Sequence, residues 1–354
     1  MEKTTKLSQN NELDFGFFDA VSNLLSSETE RAQEIVKKRF GLLQAEPQTL
    51  EKIGQDYKIT RERVRQIISD VMRRTAQKKN DPVFKQAEEK IVFTIDNSSG
   101  IIEENKMLEE LGGGAWREAH AVIFFGVLSD TIRIHEEKGL IKKSWMASAD
   151  VLEKVKKTGE AAGEIFAKEK DLLRGEEIME NISRRLAQKN VIFSKKQIAD
   201  YLSVLSNIQK NRFEKWGMAS WKEINPKGTR ERIYIVLKEK KEPLHFSEIA
   251  RLIDRYGLSK RKAHPQTVHN ELIKDARFIL VGRGIYALKE WGYESGTIQE
   301  VLADILSKRQ KPLTKEEIMA EVMKLRKVKK ATVMINLNNP NFFKKVDNRY
   351  TIKK

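Results

Sequence analysis

A repeat in the C-terminal half of the chain most constrains how it can fold. EPLHFSEIARLI, which begins at Glu242, is matched by KPLTKEEIMAEV, which begins at Lys311, and Tyr286 is matched by Tyr350. These offsets of 69 and 64 residues define a unit of about 65 residues. Because a unit of this size buries only a small core, we expect a string of small domains.

Each copy of the repeat predicts three helices and a β-hairpin. An amphipathic helix at 230–240 is followed by a Pro-Leu pair and by a second helix that we expect to begin at Ser247. A third helix carries Thr-Val-x-x-x-Leu, and FILVGRGIYAL at 278–288 has apolar residues around a glycine-containing turn, as is typical of a hairpin. This order predicts a winged helix, in which the hairpin covers the open side of a three-helix core.

Weaker copies upstream extend the predicted array. The aromatic residues Trp145, Trp221 and Trp291 recur 76 and 70 residues apart, and we interpret the segments before the first two as divergent copies. The predicted fold class is mainly α, with an N-terminal helix-turn-helix followed by a tandem array of winged-helix domains of three helices and a β-hairpin. The predicted segments are an acidic tail at 1–19, a helix-turn-helix at 20–80, a divergent winged helix at 85–150, and winged helices at 160–225, 229–293 and 297–354.

Positive charge is concentrated in two blocks of the chain. The net charge is −4 for residues 1–30, +7 for 31–80, zero for 81–228 and +13 for 229–354. Because attraction to phosphates is electrostatic, these two basic blocks are the predicted DNA contacts. The neutral middle is interpreted as scaffold or as a protein-contact surface.

Composition and motifs favour a binding protein over an enzyme. The chain has no cysteine, which excludes disulfides, thiolate zinc sites and cysteine nucleophiles. Its five histidines lack metal-ligand spacing, and GGGAWREAH at 112–120 lacks the Lys-Ser/Thr of a phosphate loop. We therefore expect no catalytic activity, cofactor or metal. The longest apolar run, at 119–128, is half a membrane span and no secretion signal is evident, so we expect a cytoplasmic, nucleoid-associated protein without membrane contact.

The segment PQTLEKIGQDYKITRERVRQIISDVMRRT at 47–75 predicts a helix-turn-helix. A short first helix precedes a second helix, for which Thr60 is the natural N-cap. The apolar face of the second helix is formed by Val64, Ile67, Ile68, Val71 and Met72. The opposite face is formed by Arg61, Glu62, Arg65, Gln66 and Ser69. In a helix-turn-helix such residues meet base edges, where Arg pairs with guanine, Gln with adenine and Glu with cytosine.

The longer segment from ERAQEIVKKRFGL to RQIISDVMRR resembles region 4 of the sigma-70 family of bacterial RNA polymerase sigma factors. RFGL, PQTLEKIG and TRERVRQI carry the resemblance, which covers about residues 20–75. In that family, region 4 reads the minus-35 promoter element and the helices before it bind the polymerase flap. The resemblance implies that bases are read by Arg61, Glu62 and Gln66. It implies backbone or flanking contacts from Thr60, Arg63, Arg65 and Arg39. No aromatic and basic helix of the kind that melts the minus-10 element is evident, so we do not expect a stand-alone sigma factor.

Residues 229–293 resemble the HARE-type helix-turn-helix domain, which is shared by the N-terminal domain of the RNA polymerase delta subunit and by some chromatin and restriction proteins. PLHFSEIA, TVHNEL and RFxxxGRGxYAL carry this resemblance. Basic residues precede the third helix and lie in the wing, as expected for backbone contacts. In the two C-terminal copies they are Lys260, Arg261, Lys262 and Arg283, and then Lys327, Lys329, Lys330 and Arg349. The basic C-terminus, where delta has an acidic tail, favours direct DNA contact.

These features favour a sequence-specific DNA-binding bacterial transcription factor that acts in initiation or its regulation. Its expected partners are double-stranded DNA at a promoter-like site and RNA polymerase. One alternative is a delta-like polymerase adaptor with little DNA specificity, and another is the DNA-targeting component of a restriction or defence system. A structural DNA-coating protein would show no base preference. The DNA site, the sign of regulation and the oligomeric state stay open.

Overall fold

A computed structural model describes residues 15–293, 297–309, 311–325 and 330–353. These residues form sixteen α-helices and four three-stranded sheets, which confirms the predicted mainly α array. The chain divides into two compact units. The first runs up to Gln209 and includes Trp216–Ala219, and the second comprises Lys210–Lys215 and the chain from Ser220 onward. No helix in the described part is long and apolar enough to cross a membrane.

Three of the four N-terminal helices follow a threonine N-cap. The helices are α1 (Phe17–Leu25), α2 (Glu30–Arg39), α3 (Leu50–Tyr57) and α4 (Arg61–Ala76). The hydroxyls of Thr29, Thr49 and Thr60 each accept a hydrogen bond from the backbone N–H three residues further on. Such caps satisfy N–H groups that a helix start leaves without intrahelical partners.

Four winged helices follow, each in the order helix, strand, helix, helix, strand, strand. The first comprises α5 (Pro82–Asn97), β1 (Ile101–Glu103), α6 (Glu104–Gly112), α7 (Trp116–Leu128), β2 (Arg133–His135) and β3 (Ser144–Met146). The second comprises α8 (Val151–Glu169), β4 (Leu173–Arg174), α9 (Gly175–Ala187), α10 (Lys195–Ser203), β5 (Ile208–Lys210) and β6 (Lys215–Met218).

The third and fourth winged helices are the two copies of the clear repeat. The third comprises α11 (Thr229–Lys240), β7 (Leu244–His245), α12 (Phe246–Arg255), α13 (Pro265–Lys274), β8 (Phe278–Gly282) and β9 (Ile285–Leu288), followed by a short 3₁₀ helix (Lys289–Trp291). The fourth comprises α14 (Ile298–Arg309), β10 (Leu313–Thr314), α15 (Lys315–Leu325), α16 (Lys330–Leu337), β11 (Phe343–Val346) and β12 (Arg349–Ile352).

A short strand that the sequence did not predict completes each wing. In every sheet the last strand lies between the other two. The added strand includes the leucine of the repeated Pro-Leu pair, and Leu244 pairs with Tyr286 as Leu313 pairs with Tyr350. The residues that recur in the two copies are therefore direct partners in the sheet, which explains why they recur together.

Three helices begin before the predicted start of the domain to which they belong. Helix α1 begins at Phe17, inside the predicted acidic tail, and its aromatic start packs on its own domain because Phe17 is buried. Helix α5 begins at Pro82 and α8 at Val151, so the connections before them are shorter than expected. The domain divisions themselves stay a prediction.

The helix-turn-helix and the first winged helix share one hydrophobic core. Phe17 of α1 lies edge-on to Phe125 of α7, with ring centroids 6.0 Å apart, and Phe40 lies edge-on to Phe124 at 5.1 Å. A side-chain nitrogen of His120 in α7 lies 2.8 Å from the carbonyl oxygen of Gly41, within hydrogen-bonding distance. The buried part of α7, the third helix of this winged helix, is therefore packed against the helix-turn-helix, whereas its first residues, Trp116 and Arg117, are exposed.

The loop between β2 and β3 of the first winged helix is also used internally. Ile141 forms a β-bridge with Leu205 of the second winged helix, and the Lys142 N–H donates to the Val204 carbonyl at 3.0 Å. The Lys142 ammonium group bonds Glu103 and the Ser203 carbonyl, both at 2.9 Å. The first winged helix thus joins its two neighbours, which agrees with a scaffolding role for the neutral middle.

Phe125→Ala should destabilise the first unit by about 3–5 kcal/mol, because it empties a site shared by α1, α5 and α7. The measurement is urea unfolding of the full chain, followed by circular dichroism and by the fluorescence of Trp145. Phe93→Ala is the control, since the Phe93 side chain is 65% exposed and its loss should cost no more than about 0.5 kcal/mol. Equal effects of the two substitutions would contradict the shared core.

Candidate nucleic-acid interface

The turn between α3 and α4 is held by a close backbone approach at Gly54. A Cβ atom at Gly54 would lie 2.8 Å from the carbonyl oxygen of Ile59, so the turn closes only on a residue without a side chain. Lys58 adopts the left-handed conformation with φ 53°, which ends α3. Ile53 and Val64 are buried together with Ile35 of α2, and this small core fixes the angle between the helices.

Helix α4 presents the predicted polar face to solvent. Thr60 caps the helix by accepting from the Arg63 N–H at 3.1 Å, as the sequence predicted. Val64 and Val71 are buried, and Ile67, Ile68 and Met72 are half-buried. The exposed residues of α4 are Arg61, Glu62, Arg63, Arg65, Gln66 and Ser69 in its first half and Arg73 and Arg74 near its end. All of the predicted base-reading residues therefore lie on one open helix face.

Charged and polar partners organise this face. The Arg65 guanidinium donates to both carboxylate oxygens of Glu62, with closest distances of 2.7 and 2.9 Å, and this hydrogen bonding lowers the pKa of Glu62. An Arg63 N–H donates to the Gln66 amide oxygen at 3.3 Å. The Arg61 side chain is exposed at the start of the helix, where its charge helps to lower the pKa of Glu62.

The remaining predicted contact of this domain, Arg39, is tied to the loop before α3. Its guanidinium donates to the Gln48 carbonyl at 3.1 Å, although the side chain is exposed. Nearby, Lys38 hydrogen-bonds Asp56 at 3.0 Å and lowers the pKa of that carboxyl. Burial and a hydrogen bond to Glu34 raise the pKa of Tyr57 to about 12. These contacts join α2 to α3.

In the third winged helix, the predicted basic residues lie at two exposed places. Lys260, Arg261 and Lys262 occupy the loop between α12 and α13, immediately before the third helix. Arg283 is at the tip of the wing, where Gly284 has φ 69° and closes the turn. This arrangement places cations at both the helix entrance and the wing, as a winged helix that contacts backbone phosphates requires.

The fourth winged helix shows the same arrangement. Lys330 is the first residue of α16 and Arg349 lies at the start of β12, and both are exposed. Arg349 also donates to the Pro312 carbonyl at 3.3 Å. Lys327 and Lys329 lie outside the described residues.

Sequence reasoning missed two kinds of basic residue. Lys344 and Lys345 are exposed in β11, and their place in the predicted hairpin was a usable signal. Arg232 lies on α11 and lines a cavity beside the loop that carries Lys260. The position of Arg232 within a helix did not indicate that it would line a cavity. In the described part of the chain, no group of three or more His, Asp or Glu residues could hold a metal ion.

Comparison with known protein families agrees with this geometry. The fold and the exposed face of α4 define a helix-turn-helix protein. Residues 24–74 match the family model of sigma-70, region 4, and residues 229–291 match the family model of the HARE-HTH domain, a helix-turn-helix domain named in part after ASXL and restriction endonucleases. Both are DNA-binding helix-turn-helix families, so the two resemblances seen in the sequence are confirmed and the chain is a DNA-binding regulatory protein.

Gly54→Ala should destabilise the helix-turn-helix by about 1–3 kcal/mol and weaken DNA binding, because the new methyl group would displace the Ile59 backbone and tilt α4. Unfolding and duplex binding of the full chain measure the two effects. Gly163→Ala in α8 is the control, since its Cβ meets no atom within 4 Å. There alanine should be neutral or stabilise by up to ~1 kcal/mol. A Gly54→Ala variant as stable as this control would contradict the close approach.

Proposed function

We propose that the protein is a sequence-specific DNA-binding transcription factor that reads a promoter-like duplex with α4. The observation that carries this proposal is the open polar face of α4. Thr60 caps the start of this helix, and the opposite, apolar face packs on α2 and α3. Helix α7 has the opposite arrangement, since most of it packs within its unit. The geometry of α4 therefore suits a major groove.

The side chains on this face suit base recognition. The exposed guanidinium of Arg61 can donate two hydrogen bonds to guanine, and Gln66 can pair with adenine once it leaves Arg63. Glu62 and Arg65 are both exposed, so separating them on DNA costs little. Each good base pairing contributes about 1–3 kcal/mol of discrimination.

The third and fourth winged helices supply backbone contacts in this proposal. Their basic loops and wings belong to the part of the chain with a net charge of +13. Such contacts give affinity that falls with salt and carries little sequence information. The protein would thus act at the nucleoid, with specificity from the first unit and much of its affinity from the second.

RNA polymerase is the proposed protein partner, on the strength of the match of residues 24–74 to sigma-70, region 4. The apolar faces of α1 and α2 are buried within the chain, so a polymerase contact would use exposed residues such as Arg31 and Glu34. Capture of polymerase that survives high salt, together with an absence of sequence-selective DNA binding, would favour the adaptor alternative instead.

Selection from a random duplex pool tests the proposed function directly. The full chain should recover a motif resembling a minus-35 element at near-physiological salt. The full chain is needed because a fragment of residues 1–80 would lack α7 and expose Phe17. Strong, salt-sensitive binding without any motif would contradict base reading and favour a coating protein.

Arg61→Ala should relax the recovered motif at one position and cost about 1–3 kcal/mol on the selected duplex, with little effect on a scrambled duplex. Arg283→Ala is the matched control, since it also removes one exposed arginine. It should weaken binding to both duplexes about equally. The measurement is the ratio of the two affinities for each variant. Equal losses on both duplexes for Arg61→Ala would defeat the assignment of α4.

A further inference from the structure

A cavity in the third winged helix is lined by several basic residues and by no acidic residue. The cavity measures about 680 Å³ and lies between the start of α11 and the loop before α13. Its basic lining residues are Arg232, Lys260, Arg261, Lys262 and His264, and no Asp or Glu lines it. We call it the basic cavity.

A second cavity in the same domain shows that this lining is not a general property of the surface. That cavity, of about 620 Å³, is lined by four carboxylates as well as by bases, and its Arg277 is held by Asp275 at 2.6 Å. There the positive charge is already neutralised. In the basic cavity the charge is left for a ligand, since among the described residues the side chains of Lys260, Arg261 and Lys262 have no acidic partner within 4.0 Å.

Arg232 gives the basic cavity a buried donor without a partner. Its Nε atom is buried and makes no hydrogen bond within the described residues. One terminal nitrogen of the guanidinium reaches only the Lys227 carbonyl, at 3.5 Å. A buried donor left unpaired is costly, more so on a charged group, so the Arg232 guanidinium favours an anion beside it.

Two helix starts add to the attraction for an anion. Thr229, the first residue of α11, and His264, which precedes α13, both line the basic cavity. Neither helix has a side-chain cap hydrogen bond. Pro265 at the start of α13 has no N–H, but both helix dipoles and the first N–H groups of α11 favour negative charge here, in addition to the basic side chains.

We infer that the basic cavity binds a phosphate ester and takes one backbone phosphate of the DNA duplex, with Arg232 as its anchor. The cavity is larger than a phosphate group, and the half-buried Leu258 and Ala263 provide an apolar lining for the adjoining sugar. This inference rests on the proposed function, because it assigns a single phosphate of the same duplex to a residue within the fold. A free nucleotide has the same chemistry and must be distinguished by experiment.

The test compares the salt dependence of duplex binding for the full chain and its Arg232→Met variant. Removal of one phosphate contact should make the negative slope of log affinity against log salt shallower by about 0.9. This corresponds to about a fivefold loss of duplex affinity at 0.15 M salt. Lys240→Met is the matched control, since it removes one exposed charge at the far end of α11 and should leave the slope unchanged. Arg232→Lys should restore most of the slope, and equal melting temperatures would show that the variants are folded.

The outcomes separate this inference from the proposed function. An unchanged slope in Arg232→Met, with the selected motif intact, overturns the phosphate site and leaves base reading in place. An equal loss of slope in Lys240→Met also overturns it. Calorimetric binding of ADP to the wild type that Arg232→Met abolishes, with an unchanged duplex slope, overturns the DNA assignment in favour of a free nucleotide. Absence of duplex binding by the wild type refutes the proposed function itself.

Discussion

The burial of Phe124 and Phe125 in α7 is the interaction on which the rest of the first unit depends. Phe124 packs against Phe40, just after α2, and Phe125 packs against Phe17 of α1 and Phe84 of α5. Because α7 has apolar residues on more than one face, it serves as the centre of a core rather than as a surface helix. The helix-turn-helix is thereby fixed on a winged helix, and the polar face of α4 stays on the outside.

The same fold therefore serves two different purposes along this chain. In the first winged helix, the third helix and the loop between the wing strands both contact neighbouring domains. In the third winged helix, the turn between the wing strands carries the exposed Arg283, and the loop before the third helix carries the exposed Lys260, Arg261 and Lys262. The charge distribution follows this difference, since residues 81–228 are neutral and residues 229–354 carry +13. Residues 81–228 reach neutrality by balance, since they hold 24 basic and 24 acidic residues, whereas bases exceed acids 28 to 15 in residues 229–354.

Specificity and affinity have separate physical sources in the proposed complex. The face of α4 offers directional donors and acceptors, which distinguish bases by hydrogen-bond geometry. The basic loops and wings offer charge, which attracts any duplex and weakens with salt. The ion pair between Glu62 and Arg65 lies on this face, with both side chains exposed to water. Such an exposed pair adds little stability, so it is available to rearrange on DNA.

The sequence alone determined the features that depend on short-range patterns. Helical periodicity predicted α4 with Thr60 as its cap, and the repeat predicted both C-terminal hairpins, because these signals arise within a few turns of chain. Only the tertiary structure decided which surfaces remain free. The hydrogen bond from the Phe18 N–H to Glu118 joins residues 100 positions apart, and the place of Arg232 beside a distant loop likewise depends on folding. The spacing of residues along the chain does not predict such contacts, since the angle at which helices pack is set by the whole core.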